Sequence, residues 1–161
     1  MSKNLISKIS LTWFKFRVIL KHMNRKKLQL SHADIEKQLV NAGVQPTAQR
    51  IAICRYILSE ADHPTAEEIK KWADRHFPKM SMATVYNTLK ALVDAGIVQE
   101  FKFPHSDAAV YDCNTDVHYH FLDEKTGRLH DVEPESVRLS VKLKEEFKVK
   151  GIQILLRGTK K

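Results

Sequence analysis

Asp112, His118, His120 and Asp131 fall within about twenty residues of one another, in the stretch VYDCNTDVHYHFLDEKTGRLHD at 110–131. Imidazoles and carboxylates together suit a divalent ion such as Fe²⁺, Mn²⁺ or Zn²⁺. The segment VHYHFLD alternates like a strand, so His118 and His120, two positions apart, are expected on one face and within reach of one ion. His130 is adjacent to Asp131 and is expected on the opposite face. A His/Asp cluster can also activate water for hydrolysis, but that needs a general base beside the metal. Here the obvious carboxylates are already used as ligands, and a metal-dependent hydrolase is the weaker alternative.

The elements that must carry these donors can be read from spacing. SHADIEKQLVNAG opens on Ser31 as an N-cap and closes on Gly43. PTAQRIAICRYILSE has Ile51, Ile53, Cys54, Ile57 and Leu58 near helical spacing. HPTAEEIKKWADRHF carries Thr65 and Glu68 at capping-box spacing. SMATVYNTLKALVDAG runs from Ser81 to Gly96 with Val85, Leu89, Leu92 and Val93 on one face. IVQEFKF and AVYDC are short strands around the turn-like PHSDA. Several helices followed by a hairpin are the order of a winged helix, whose last helix enters the DNA major groove. Downstream, VHYHFLD and RLHDV flank the turn EKTG, PESVRLSVKLKEEFK is expected to be a helix starting near Pro134, and GIQILLRG a final strand. Such a unit is too small to bury much core alone, so dimerisation through it is expected.

The composition bounds the function. The chain has 161 residues, 43% hydrophobic and 29% charged, as in a soluble globular protein. It has no run of about eighteen uncharged apolar residues, so no membrane partner is expected. Two cysteines, Cys54 and Cys113, fit a reduced cytoplasmic protein better than a disulfide scaffold. The net charge of +8 lies in residues 1–30, which hold Lys3, Lys8, Lys15, Arg17, Lys21, Arg25, Lys26 and Lys27 and no acid. The remainder is neutral, so any nucleic-acid surface there is local. The leader lacks the uninterrupted apolar core of a signal peptide. A basic arm for phosphates or an anionic membrane surface is one reading; a poorly ordered extension, or a start upstream of a working Met23, is preferred.

From about Val40 to Val132 the chain resembles the ferric uptake regulator (Fur) superfamily. The carriers are GVQPTAQRIAI, HPTAEEI, FPKMSMATVYNTLKAL, GIV and HYHFLDEKTGRLHD, in that order and spacing. The resemblance implies an α+β protein: a winged-helix DNA-binding domain with its hinge at 31–113, then an α/β dimerisation domain at 114–161, after a basic extension at 1–30. It implies a homodimeric, metal-dependent repressor of inverted-repeat operator DNA rather than an enzyme. It also implies one regulatory metal per protomer, Fe²⁺ or Mn²⁺ with Zn²⁺ able to substitute, held by His63, Asp112, His118, His120 and Asp131. One ion so held would clamp the two halves and set the spacing of the recognition helices.

Two features favour the peroxide-stress branch by resemblance. Asp131 stands where iron-uptake members tend to have Glu, and Asn87 where they tend to have Arg. Peroxide sensing would then run through iron-catalysed oxidation of a ligand histidine; an iron-, manganese- or zinc-responsive uptake regulator is the alternative. Typical members also hold a structural zinc with two C-x-x-C pairs. The first pair would align at Asp123 and Thr126, so no structural zinc is expected. For DNA, Tyr86 and Asn87 are expected to face the groove, with Ser81 and Thr84 beside them and Arg50 on phosphate. Ile152, Ile154 and Leu156 are expected to form one dimer-facing strand face.

Overall fold

The computed structural model describes residues 30–103 and 106–161, and the expectations for the leader and for the start of the PHSDA turn lie outside them. Chain contacts divide after Thr115, leaving a second unit of Asp116–Lys161. The first unit contains α1 (His32–Asn41), α2 (Ala48–Ser59), α3 (Ala66–His76), α4 (Met82–Asp94) and a hairpin of β1 (Gln99–Phe101) and β2 (Val110–Asp112).

Each of these four helices starts on a hydroxyl. Ser31, Thr47, Thr65 and Ser81 accept from the amides of Asp34, Arg50, Glu68 and Thr84, which satisfies donors that a helix start leaves open. Such caps are each worth about 1 kcal/mol. The box at Thr65 is reciprocal, with the Thr65 amide donating to Glu68 Oε2 at 2.8 Å. Gly43 and Gly96 follow α1 and α4 at φ 74° and 67°, where a side chain would be strained.

The apolar faces meet in one core. Ile35 and Leu39 of α1, Ile53 and Ile57 of α2, Ile69 of α3, and Val85, Leu89 and Leu92 of α4 are buried together. Burial of each large aliphatic side chain contributes about 1.5–3 kcal/mol. Val93, expected with that face, is half-buried. The wing pairs antiparallel, Gln99 opposite Asp112 and Phe101 opposite Val110. Its inner strand also returns to the start of α3. Tyr111 N donates to Pro64 O at 2.9 Å, and Val110 bridges to Thr65. That attachment fixes the end of β2 against the loop before α3.

The second unit is a three-stranded sheet of order β4-β3-β5, with β3 (Tyr119–Asp123), β4 (Arg128–Val132) and β5 (Leu155–Gly158). β3 pairs antiparallel with β4, His120 opposite Asp131 and Leu122 opposite Leu129; β5 runs parallel to β3. Gly127 closes the β3–β4 turn at φ 71°.

The helix expected from Pro134 does not form. Pro134–Ser136 makes one 3-10 turn, and residues 137–150 have no regular helix or strand. Val137, Leu139, Val141 and Leu143 alternate with Arg138, Ser140 and Lys142 at period two. A helix would spread those apolar groups around its circumference, and the β-branched valines add to the cost. Leu139, Val141, Leu143, Phe147, Val149 and Ile152 stay more than half exposed. The unit is therefore a small mixed sheet, and the final strand is shorter than GIQILLRG implied, leaving Ile152 and Ile154 outside β5. No helix among the described residues is long and apolar enough to cross a membrane.

Candidate metal centre

Two groups of donors are assembled, one in each unit. In the first, the return of β2 to Pro64 brings Asp112 to His63, with His63 Nε2 3.5 Å from Asp112 Oδ2. Both side chains are buried, at 3% and 1% exposure. His63 has φ 49°, the one positive φ among described residues other than glycine. A left-handed backbone at a bulky residue carries a cost, and such outliers concentrate at functional sites. Its Nδ1 lies 2.9 Å from Asp62 Oδ1. With the proton on Nδ1 donated to that carboxylate, the Nε2 lone pair is directed to the Asp112 side. Asp112 Oδ1 accepts from Asn114 N at 2.8 Å, which orients Oδ2 towards His63.

In the second unit the sheet register does the positioning. His120 is opposite Asp131 across β3–β4, and opposed residues share a face; His118, two residues earlier, joins them. His118 and His120 are buried, and Asp131 is half-buried. His118 Nδ1 lies 2.8 Å from Asp116 O and donates to it, which leaves a lone pair on Nε2. That Nε2 faces His120 Nε2 at 3.1 Å. Two imidazole lone pairs at that distance repel unless a proton or a cation lies between them. Two nitrogens bound at right angles to an ion about 2.1 Å away stand about 3 Å apart, so the spacing suits a shared ion. The three residues offer ligand atoms within 4.8 Å of one another.

This donor chemistry fits a divalent metal. Buried imidazoles whose second nitrogen is held by a carboxylate or a backbone carbonyl are the usual arrangement around a bound ion. Sequence reasoning missed these supports, Asp62 and the Asp116 carbonyl. An acid directly before His63 was the available signal for the first; nothing in the sequence marks the second. His76 is tied to its own helix, stacked on Trp72 with Nδ1 2.8 Å from Trp72 O. His130 pairs opposite Phe121 on the other sheet face, as expected. Burial pushes the Cys54 thiol up to about 12, so it is no thiolate at neutral pH.

The residues proposed for DNA divide by role. Tyr86 and Asn87 are exposed on the first half of α4, with Tyr86 at 47%. Ser81 and Thr84 face each other, with hydroxyl oxygens 2.9 Å apart, and the Ser81 oxygen also caps the Thr84 amide. Their first duty is to the helix start. Arg50 is half-buried and donates to Gln45 O at 3.2 Å, which holds the guanidinium beside the turn before α2. The Tyr86 hydroxyl donates to Glu67 Oε1 at 3.1 Å, a contact between residues nineteen apart that periodicity does not reveal.

Residues 41–157 match a family model described as the ferric uptake regulator family. The peroxide-responsive repressor PerR of Staphylococcus epidermidis is 45% identical over 93 residues, 58% of this chain and 61% of that protein. The chain thus spans less than two thirds of the length of that curated relative. A zinc-bound manganese uptake regulator has a similar structure, with 27% identity, a TM-score of 0.60, and cover of 78% of this chain and 98% of the other. The ferric uptake regulator of Pseudomonas aeruginosa with manganese shares the fold, at 24% identity and a TM-score of 0.57 over 78% and 97% of the two chains.

Proposed function

The chain belongs to the ferric uptake regulator family, and from that premise we propose that it is a metal-dependent, homodimeric repressor of inverted-repeat operator DNA that responds to peroxide. It is a cytoplasmic regulator and not an enzyme. The observation that carries this reading is the pair of donor groups: His63 with Asp112 in the helical unit, His118 with His120 and Asp131 in the sheet unit. All five would hold one ion, and the chain between Asp112 and His118 is the hinge the ion would restrain. A bound Fe²⁺ supplies electrons to peroxide readily, whereas Mn²⁺ does not.

The residues do the rest. Asp62 and the Asp116 carbonyl hold the tautomers of His63 and His118, so that both present Nε2. Oxygen added to either ring weakens it as a ligand and relaxes the hinge. Tyr86 and Asn87 are on the helix face that would enter the groove, and Arg50 faces phosphate. The exposed apolar residues between Leu139 and Leu156 supply the surface for a second copy. Residues 31–113 act as the DNA-binding half and 114–161 as the dimerisation half.

The peroxide branch is supported by the 45% identity to the staphylococcal repressor and by Asp131. A second reading, a manganese- or zinc-responsive uptake regulator, is favoured by the 27% identical manganese uptake regulator. The deciding experiment loads the protein with Fe²⁺ or Mn²⁺ without oxygen, adds low peroxide, and follows DNA binding and peptide mass. The peroxide reading expects one added oxygen on a peptide bearing His63 or His118, and loss of operator, with Fe²⁺ only. An unmodified Fe²⁺ protein that keeps its operator leaves the uptake reading.

A further inference from the structure

Among the residues on the groove-facing side of the first unit is an acid with no part in the reading above. Glu67 and Glu68 stand side by side in the first turn of α3. Glu68 is committed locally, since its Oε2 accepts from the Thr65 amide. Glu67 reaches instead to α4, where its Oε1 accepts the proton of the Tyr86 hydroxyl. A carboxylate on a surface that meets phosphates lowers affinity for every sequence. Such a cost is accepted where it rejects wrong partners.

Resting on the reading that α4 enters the major groove, we propose that Glu67 is a specificity-determining residue: with Tyr86 it forms a patch of hydrogen-bond acceptors that selects the bases whose amino group faces the major groove, adenine and cytosine, at one position of each half-site.

The chemistry follows from proton count. A phenol has one O–H, and Tyr86 gives it to Glu67. What the pair itself leaves towards solvent is the lone pairs of the Tyr86 oxygen and of the carboxylate; the donor in the crevice they line is the Lys102 ammonium. In the major groove adenine N6 and cytosine N4 present donors, while guanine O6 and N7 and thymine O4 present acceptors. An acceptor-only patch complements the first two and repels the others. The Glu67 contact also raises the Tyr86 pKa, so the hydroxyl keeps the proton it donates. The neighbouring surface repeats the arrangement. Both residues line a crevice of about 380 Å³ with Lys102, Glu100 and Tyr111, and there the Tyr111 hydroxyl donates to Glu100 Oε1 at 3.2 Å.

The test selects randomised duplexes with Mn²⁺-loaded full-length protein, as wild type, Glu67→Gln and Tyr86→Phe. Glutamine keeps the size and can still accept the Tyr86 proton, but its amide adds a donor towards the groove. Wild type is expected to enrich adenine or cytosine at one position by roughly tenfold. Glu67→Gln should lose that preference there alone and bind scrambled duplex more tightly, having lost a negative charge. Tyr86→Phe should lose preference at the same position. A Glu67→Gln profile identical to wild type, or one weakened evenly at every position, overturns the role of Glu67 and leaves the DNA reading standing. Wild type that enriches no sequence overturns both.

Discussion

The Thr126 hydroxyl donates to Asp123 Oδ2 at 2.6 Å, at the two positions where resemblance places the first cysteine pair of a structural zinc site. Asp123 Oδ1 accepts from Lys125 N at 3.1 Å and Lys160 N at 3.5 Å, and Glu124 N donates to Gly158 O at 2.8 Å. One carboxylate thus joins the β3–β4 turn to the chain leaving β5. Two of these hydrogen bonds, from Lys160 N and Glu124 N, tie the turn to the β5 segment, and the other two close the turn itself. The Arg157–Glu124 pair nearby, at 2.8 Å, is exposed and adds little.

This knot predicts an acid-sensitive sheet. The Thr126 hydroxyl, and then the Lys125 and Lys160 amides, hold the Asp123 carboxyl below its ordinary 3.8. A carboxyl lowered on folding stabilises the native state above the unfolded value, and that contribution is lost as pH falls through the folded value. Urea unfolding of wild type and Asp123→Asn should therefore differ most above pH 4 and converge below it. Parallel pH profiles for the two proteins would remove Asp123 from the acid response.

Chelation should leave the fold standing. The chain has two cysteines, too few for a Cys₄ site within one protomer. After exhaustive removal of metal, sedimentation and circular dichroism should report a folded dimer that has lost operator affinity. A monomer or an unfolded chain would mean that metal supports assembly.

His63→Ala is expected to abolish metal-dependent operator binding while leaving the dimer intact. His63 lies in the helical unit, 55 residues before His118, whereas the exposed apolar residues from Leu139 to Leu156 belong to the sheet unit. Metal titration followed by gel shift and sedimentation checks both halves of the statement. Operator binding at wild-type metal concentrations would take His63 out of the clamp.

Asn87→Ala should weaken specific binding by about 1–3 kcal/mol, the worth of one bidentate contact to adenine. The side chain is exposed on α4, so the change should barely alter stability. Competition between operator and scrambled duplex measures the difference. Equal loss on both duplexes would assign Asn87 to the backbone instead.

Local chemistry made much of this protein legible in its sequence. Hydroxyls at Ser31, Thr47, Thr65 and Ser81 mark helix starts because the cap bond spans three residues. Period two put His118 and His120 on one face and His130 on the other, because a strand alternates without outside help. The types and order of the five donors were likewise readable. Other features required partners far along the chain. His63 meets Asp112 because Tyr111 pairs with Pro64, and its left-handed backbone belongs to that attachment. Asp123 reaches Lys160 only once β5 lies beside β3. The expected helix after Pro134 failed for a local reason, the period-two spacing of Val137, Leu139, Val141 and Leu143, which was itself written in the sequence. Hydrogen bonds within a turn are written in neighbouring residues, whereas those between segments exist only after the segments have packed.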